Sequence, residues 1–410
     1  MQTLTRPSLG NQTTCVELQE RTDASLVRTA SAEPLNAASC VGLSSAYIVE
    51  GKHDSGRGEA AIGRIPVISQ DGTPLMPCTP AKARKLLESG KARKQWSKLG
   101  IFYIQLKFNP KSPTTQPLAI GIDPGSKFEA FSIVGTKSTV LNIMSEATDW
   151  VRRAVETRRE MRRARRYRNT RRRPCRINNR PSHQNRLPPS TKARWDAKLR
   201  IVRQLKKIIP ITTAVVEDIK ARTKKGQRRW NSSFSPLEAG KQYFYTELRR
   251  VGLNVKTRQG SETQQLREAH GLKKLRNKSK PIFETHCVDS WTLAASATGA
   301  QQPTTRRLHY LVPLRWHRRQ LHKLQPSTGA VRRREGGTIS LGLKRGTLVK
   351  HIKYGFCYIG GNMKGRLSLH SLKTGRRITQ RATRKDFKVL TRIAFRTQFL
   401  PPLKQVGFLE

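Results

Sequence analysis

A chain of 410 residues has room for several domains and a sizeable core, yet charge is its dominant feature: 81 Lys plus Arg face 27 Asp plus Glu, a net of +54. A compact protein repels itself at such an excess, so a polyanion is the simplest partner, and phosphate backbones lead because their dense charge releases counterions on binding. A membrane surface is the weaker alternative, since no uninterrupted apolar run approaches the roughly 20 residues that span a bilayer.

Residues 1–62 stand apart. They hold five basic residues (Arg6, Arg21, Arg28, Lys52, Arg57) and seven acidic ones, a net of −2, which leaves +56 for the remainder. Thr, Ser, Ala and Gly dominate with weak apolar periodicity, as in a disordered extension. From Ile65 the texture changes. IPVIS is a short β-prone run and Asp71-Gly72 a turn signal. Thr79 or Pro80 can open a helix through AKARKLLESGKAR, with Ala83, Leu86 and Leu87 on one face and Gly90 near its end. IFYIQLKF (101–108) reads as a strand and completes a small basic β-α-β-like module. Over 117–144, PLAIGID, FEAFSIVG and STVLNIM read as an antiparallel set joined by Gly, Ser and Lys turns.

The most biased segment comes next. Residues 151–180 hold 14 arginines against Glu156 and Glu160. Arg forms helices well, a start lies near Thr148 or Asp149, and Pro174 stops it. Arg152, Arg153, Arg158, Arg159, Arg162, Arg163, Arg165, Arg166 and Arg168 surround that helix, while Ala154, Val155, Met161 and Ala164 make only a thin seam. An Arg run is ordinarily a solvated tail, but this one lies between two core segments. Arg forks grip phosphates bidentately and stack on bases, so these residues, with Arg171, Arg172 and Arg173, are the candidate nucleic-acid contacts. RNA binding without catalysis would also account for this segment taken alone.

After a Pro/Asn/Ser-rich loop, KARWDAKLRIVRQLKKI is helical, with Trp195, Leu199, Val202 and Leu205 spaced to face a core. ITTAVVE (211–217) is a buried strand ending in a carboxylate, and 222–236 is polar loop. LEAGKQYFYTELRRVG (237–252) is a helix stopped by Gly252, LNVKT (253–257) a strand, and PIFETHCVDSWTLAASAT (281–298) a final helix. Residues 305–400 are rich in β-prone, Gly-containing runs and read as a separate basic β domain.

Three of these segments deliver an acid to a common point. Asp123 ends the first central strand, Glu217 ends a later one, and Asp289 lies on the last helix with His286 three residues earlier on the same face. Taken singly each has a plainer use: Asp before Pro-Gly forms turns, Glu217 can pair with an arginine, and His286 with Asp289 can be an i, i+3 helix pair. Together, as strand-Asp, strand-Glu and helical His-x-x-Asp around a basic insertion, they follow the RNase H-like nuclease order. Clustered carboxylates suit Mg²⁺, and two such ions about 4 Å apart stabilise both oxygens of an in-line phosphoryl displacement.

Over roughly residues 64–400 the chain resembles the transposon-encoded IscB group of RNA-guided nucleases, and most closely its HNH-lacking IsrB type. The resemblance rests on TPLMPCTPAKARKLL (the PLMP module), GIDPGSK, the RREMRRARRYRNTRRRPCR bridge helix, AVVEDIKAR, SPLEAGKQYFYTEL, ETHCVDSWTLA and the C-terminal RGTLVKHIKYGFCYIGG…GRLSLHSLKTGRRIT region. It implies an α/β, RNase H-like (RuvC) mixed sheet split by the Arg-rich bridge helix. A PLMP module would span 63–112, RuvC parts 113–147 and 177–300, the bridge helix 148–176, and a β-rich domain reading a target-adjacent motif 301–410. It also implies a non-coding guide RNA and a double-stranded DNA target, with Asp123, Glu217, His286 and Asp289 holding two Mg²⁺ ions, or Mn²⁺. His286 would bind metal or assist proton transfer near the attacking water. An IscB carries an HNH nuclease between Glu217 and Asp289. Here His270 is the only histidine of that interval before the third motif, so a single site nicking the displaced strand is expected.

Two alternatives stay open: an inactive structured-RNA or DNA binder, and a guide-independent junction-type endonuclease. The six scattered cysteines form no C-x-x-C pair and the N-terminus lacks a secretory pattern. A cytoplasmic, nucleoid-associated monomer within a ribonucleoprotein, without membrane contact, is the expectation.

Overall fold

The computed structural model describes residues 63–111, 113–167, 187–218, 236–277, 280–314 and 339–401. The chain separates into two units, Met1–Gly42 and Leu43–Glu410, and the expected extension 1–62 lies outside the described residues. Every described element belongs to the second unit.

The first module holds β1 (Ile65–Ile68), β2 (Pro74–Cys78), α1 (Pro80–Glu88), β3 (Ala92–Trp96) and β4 (Phe102–Leu106) in a sheet ordered β2-β1-β4-β3. It thus has two strands beyond the β-α-β expected. PLMPC pairs despite two prolines because β2 is an edge strand, where a missing N–H costs no ladder bond on the open side. β3 escapes notice because Arg93 and Lys94 are exposed and blur the alternation. The helix start is as expected: Thr79 Oγ1 accepts the Lys82 N–H at 3.3 Å, with Pro80 in the first turn.

β5 (Leu118–Asp123), β6 (Phe128–Gly135) and β7 (Thr139–Glu146) form the antiparallel set. Then come α2 (Trp150–Tyr167), α3 (Pro189–Lys206), β8 (Thr213–Asp218), α4 (Pro236–Arg250) and β9 (Asn254–Gln259). They are followed by α5 (Gly260–Ala269), a π-helical turn at Phe283–Cys287, α6 (Val288–Thr298) and β10 (Leu308–Pro313). Beyond these, β11 (Ile339–Ser340) and β12 (Leu343–Lys344) pair as a hairpin. A second sheet is built from β13 (Thr347–His351), β14 (Gly355–Met363), β15 (Arg366–Ser371), β16 (Arg377–Ala382) and β17 (Phe387–Arg392), before β18 (Phe395–Leu400) ends the described chain's regular structure.

The large sheet runs β18-β10-β7-β6-β5-β8-β9, with β8 parallel to β5 and β9 parallel to β8. Its β7-β6-β5-β8-β9 portion is the RNase H-like order. β10 and β18, drawn from beyond residue 301, extend the sheet past β7.

Strand alternation sorts the layers. Ile120 and Ile122 of β5, with Ala214 and Val216 of β8, pack against Trp195, Leu199, Val202 and Leu205 of α3 and Phe244 and Leu248 of α4. Ala119 of β5 and Ala130 of β6 belong to the opposite face, where Trp291, Ala294 and Ala295 of α6 cover them. Large residues therefore meet two helices on one side, and small ones admit a single close helix on the other. Among the described residues no helix is long and apolar enough to cross a membrane.

Candidate active site

Parallel pairing aligns β5 and β8 so that Ile122 stands opposite Val216. The next residue of each strand is an acid, Asp123 and Glu217, at the carboxyl ends where open α/β sheets place their sites. By alternation both point to the α6 side. Asp123 also forms the turn its Pro-Gly context implies, its carbonyl accepting the Gly125 N–H at 3.1 Å. Its backbone serves the turn while its side chain serves the site.

Gly121 lets α6 approach. A Cβ there would lie 1.8 Å from the Ser290 carbonyl oxygen and 2.7 Å from the Ala294 nitrogen, both helix backbone. Ser132 and Ser290 hydroxyls 2.8 Å apart, and the Trp291 indole donating to Thr139 Oγ1 at 2.8 Å, fix the helix further. The first turn of α6 is thereby held over β5, and it carries Asp289. His286 sits in the preceding π-helical turn, its ring 5.0 Å from that of Phe128. Such π-helical turns mark functional sites often enough to be informative. A Cβ on Gly260, at the start of α5, would stand 3.2 Å from Glu217 Oε1, so glycine leaves room for the carboxylate.

The ionisation of Asp123 and Glu217 is mutually perturbed. Asp123 and Glu217 are joined by a hydrogen bond, which needs a proton between two carboxylates. Burial raises the Asp123 pKa, and burial together with the charge of Asp123 pushes Glu217 up to about 8. Asp289 adds to both, while Lys274 opposes both. Asp289, only 3% exposed, accepts from Arg267 Nη1 on Oδ1 at 2.7 Å and from Lys274 Nζ on Oδ2.

These hard oxygens match the ligand chemistry of Mg²⁺ or Mn²⁺. Burial first, and the neighbouring carboxylates second, disfavour the charged forms of Asp123 and Glu217, and a bound cation would offset both effects. Even so, among the described residues no three His, Cys, Asp or Glu side chains stand close enough, as placed, to hold a metal ion. At Asp289 both oxygens are taken, Oδ1 by Arg267 and Oδ2 by Lys274. The donor chemistry of Asp123, Glu217 and Asp289 suits such an ion, but as placed the three do not form a ligand set.

These shifts make stability depend on pH. Glu217 has a folded pKa above that of a free glutamate, so between about 4.5 and 8 the folded state holds the proton more tightly than the unfolded one. Stability of the metal-free protein should therefore fall as pH rises through that window, by no more than about 1.4 kcal/mol per pH unit for one proton. Thermal melts in chelator across pH 5–8 check this, and Glu217→Gln should flatten the slope. An unchanged slope in that variant would assign the proton elsewhere.

Reading the sequence missed Arg267 and Lys274. It also missed Lys198, whose Nζ donates to Glu129 Oε1 at 2.6 Å with both side chains buried, tying α3 to β6. Beside the Asp123 turn opens a cleft of about 560 Å³, reached by Ser126, Asp149, Arg152, Arg194 and Lys241. It leads to the first turn of α2.

There Val151, Ala154 and Val155 are half-buried, but Met161 and Ala164 are exposed, so the apolar seam is shorter than expected. Arg152, Arg153, Arg158, Arg159, Arg162, Arg163 and Arg166 are all exposed, and Arg165 lies on the same helix. Arg152 pairs with Glu156 at 3.0 Å. Arg168, Arg171, Arg172 and Arg173 lie outside the described residues.

Fold and site together define an RNase H-like protein with half-buried Asp123 and Glu217 and buried Asp289 around the end of its central strands, and an arginine-coated helix after β7. A family model described as "RRXRR protein" matches residues 65–233, short of half the chain but including Asp123, α2 and Glu217. No curated protein matches. Among solved structures, Thermus thermophilus RuvC in complex with a Holliday junction substrate is similar at 13% identity and a TM-score of 0.25, over 46% of this chain and 99% of that one. The yeast mitochondrial Holliday junction resolvase Ydc2 is similar at 11% identity and a TM-score of 0.24, over 46% of this chain and 80% of that one.

Proposed function

We propose that this protein is a divalent-metal-dependent DNA endonuclease that nicks one strand, the displaced one, of a target paired to a non-coding guide RNA. The observation that carries this reading is the meeting of Asp123 and Glu217 at the ends of adjacent parallel strands, under the helix turn that bears Asp289. Asp123, Glu217 and Asp289 would hold the ions. When bound, a pair of divalent cations supplies positive charge to the attacking and leaving oxygens of an in-line displacement. The chain's own residues do the rest. Asp123 and Glu217 give up their shared proton, Arg267 keeps Asp289 oriented through Oδ1, and His286, walled by Phe128, takes a proton from the attacking water.

Support for a guide RNA comes from α2. Beyond the half-buried seam of Val151, Ala154 and Val155 the helix is exposed and carries arginines along its length, which suits a folded polyanion. Support for a single cut comes from His270, the one histidine of the interval where an HNH site would stand: its Nδ1 lies 3.0 Å from the Gln301 carbonyl oxygen and its ring packs edge-on against Trp291.

The test is purification with bound RNA, then Mg²⁺-dependent assay on supercoiled plasmid carrying a matching target. Open circles are expected. Linear product would contradict the single site, and protein free of RNA would contradict guidance. Replacing Arg162, Arg163 and Arg166 by Ala should weaken RNA retention and lower the slope of log K against log salt by about 2 to 3, the share of three phosphate contacts.

A further inference from the structure

Lys274 occupies a telling position. Its segment is pinned at both sides: Leu272 is buried and its N–H donates to the Arg267 carbonyl at 3.0 Å, while the Leu275 N–H donates to the Glu284 carbonyl at 3.0 Å, on the π-helical turn itself. The backbone thus delivers the lysine to the acids, and its ammonium rests on Asp289 Oδ2.

We infer that Lys274 is the resident counter-ion of this site, held on Asp289 until a divalent cation takes its place, and that Arg267 stays behind to orient the carboxylate. The inference rests on the proposed metal chemistry. The two cations differ in what they can do. Arg267 presents a planar fork from a helix, and its side chain is 17% exposed; Lys274 is a point charge on a flexible four-carbon stem, 27% exposed. Releasing Lys274 frees Oδ2 for a metal. Retaining Arg267 on Oδ1 provides the outer-shell bond that aims a one-oxygen ligand. Lysine and metal then compete for one oxygen, so each weakens the other's hold.

Calorimetric titration of the RNA-bound full chain with Mn²⁺ at a fixed pH of 8 tests this. Lys274→Met should bind Mn²⁺ about tenfold more tightly than wild type and melt lower in chelator, with the melting gap closing in saturating Mn²⁺. Lys274→Arg, which keeps the charge, should not gain affinity, and Arg267→Gln should lose it. Unchanged or weaker Mn²⁺ binding in Lys274→Met would overturn the exchange. Equal gains in the Met and Arg variants would overturn it too, by removing charge as the cause. Absence of Mn²⁺ binding in wild type and all variants would instead sink the metal-dependent reading itself.

Discussion

Asp123→Asn should abolish Mg²⁺-dependent cleavage, a loss of about 10³-fold or more, while leaving a metal-free protein that melts higher than wild type. The first effect follows from losing one carboxylate of a cluster whose cations would contribute several kcal/mol at the transition state. The second follows from the strain that the acids impose on one another. Asp123 raises the Glu217 pKa by its charge, and burial disfavours both as carboxylates. A neutral amide at position 123 removes that repulsion and can still hydrogen-bond to Glu217. Gain of stability with loss of activity is the signature of an acidic site built for a partner that neutralises it. Plasmid cleavage under single-turnover conditions and melting in chelator measure the two arms. A variant that cuts normally, or melts lower, would show that Asp123 is a turn residue only.

Gly121→Ala should destabilise the fold by about 3 kcal/mol or more, the upper end for overpacking a close-packed interior. The added carbon would meet the Ser290 carbonyl at 1.8 Å and the Ala294 nitrogen at 2.7 Å, and neither is a side chain that could turn aside. Helix α6 must move as a body. Because Asp289 rides on its first turn, a shift of the order of 1 Å would also cost about 10²-fold in activity in any fraction that folds. Gly72→Ala provides the control: its position has a positive φ of 86° but nothing within 4 Å, so it should lose about 1 kcal/mol and no activity. Chemical denaturation of both variants checks the contrast, and equal losses would mean that the α6 approach is not tight.

Much of this site is legible in the residues alone. Asp123 and Glu217 each close an apolar run, and two strands of one sheet that end in acids tend to bring them together. Asp289 and His286 stand three apart in a helical stretch, although the π-helical turn at Phe283–Cys287 changes the phase between them and has no sequence mark. What stays hidden is the pair of cations that neutralises the acids. In a chain with 81 basic residues, one more Lys in GLKKLRNK carries no signal, and Arg267 sits on α5, a short helix with too few apolar residues to show a period. Its capping box uses Gln259 with Glu262, where Ser or Thr would have been the recognisable residue. β10 and β18 are hidden for another reason: Leu308 pairs with Leu400 across some ninety residues, and such register lives in neither segment alone.

The most direct measurement is anomalous scattering from crystals soaked in Mn²⁺. Peaks should lie about 2.1 Å from carboxylate oxygens of Asp123, Glu217 and Asp289 together, with the Lys274 ammonium moved off Oδ2. Manganese bound elsewhere, with Asp289 still clasped by both cations and Asp123 still hydrogen-bonded to Glu217, would contradict a metal-dependent nuclease and leave a binder of polyanions.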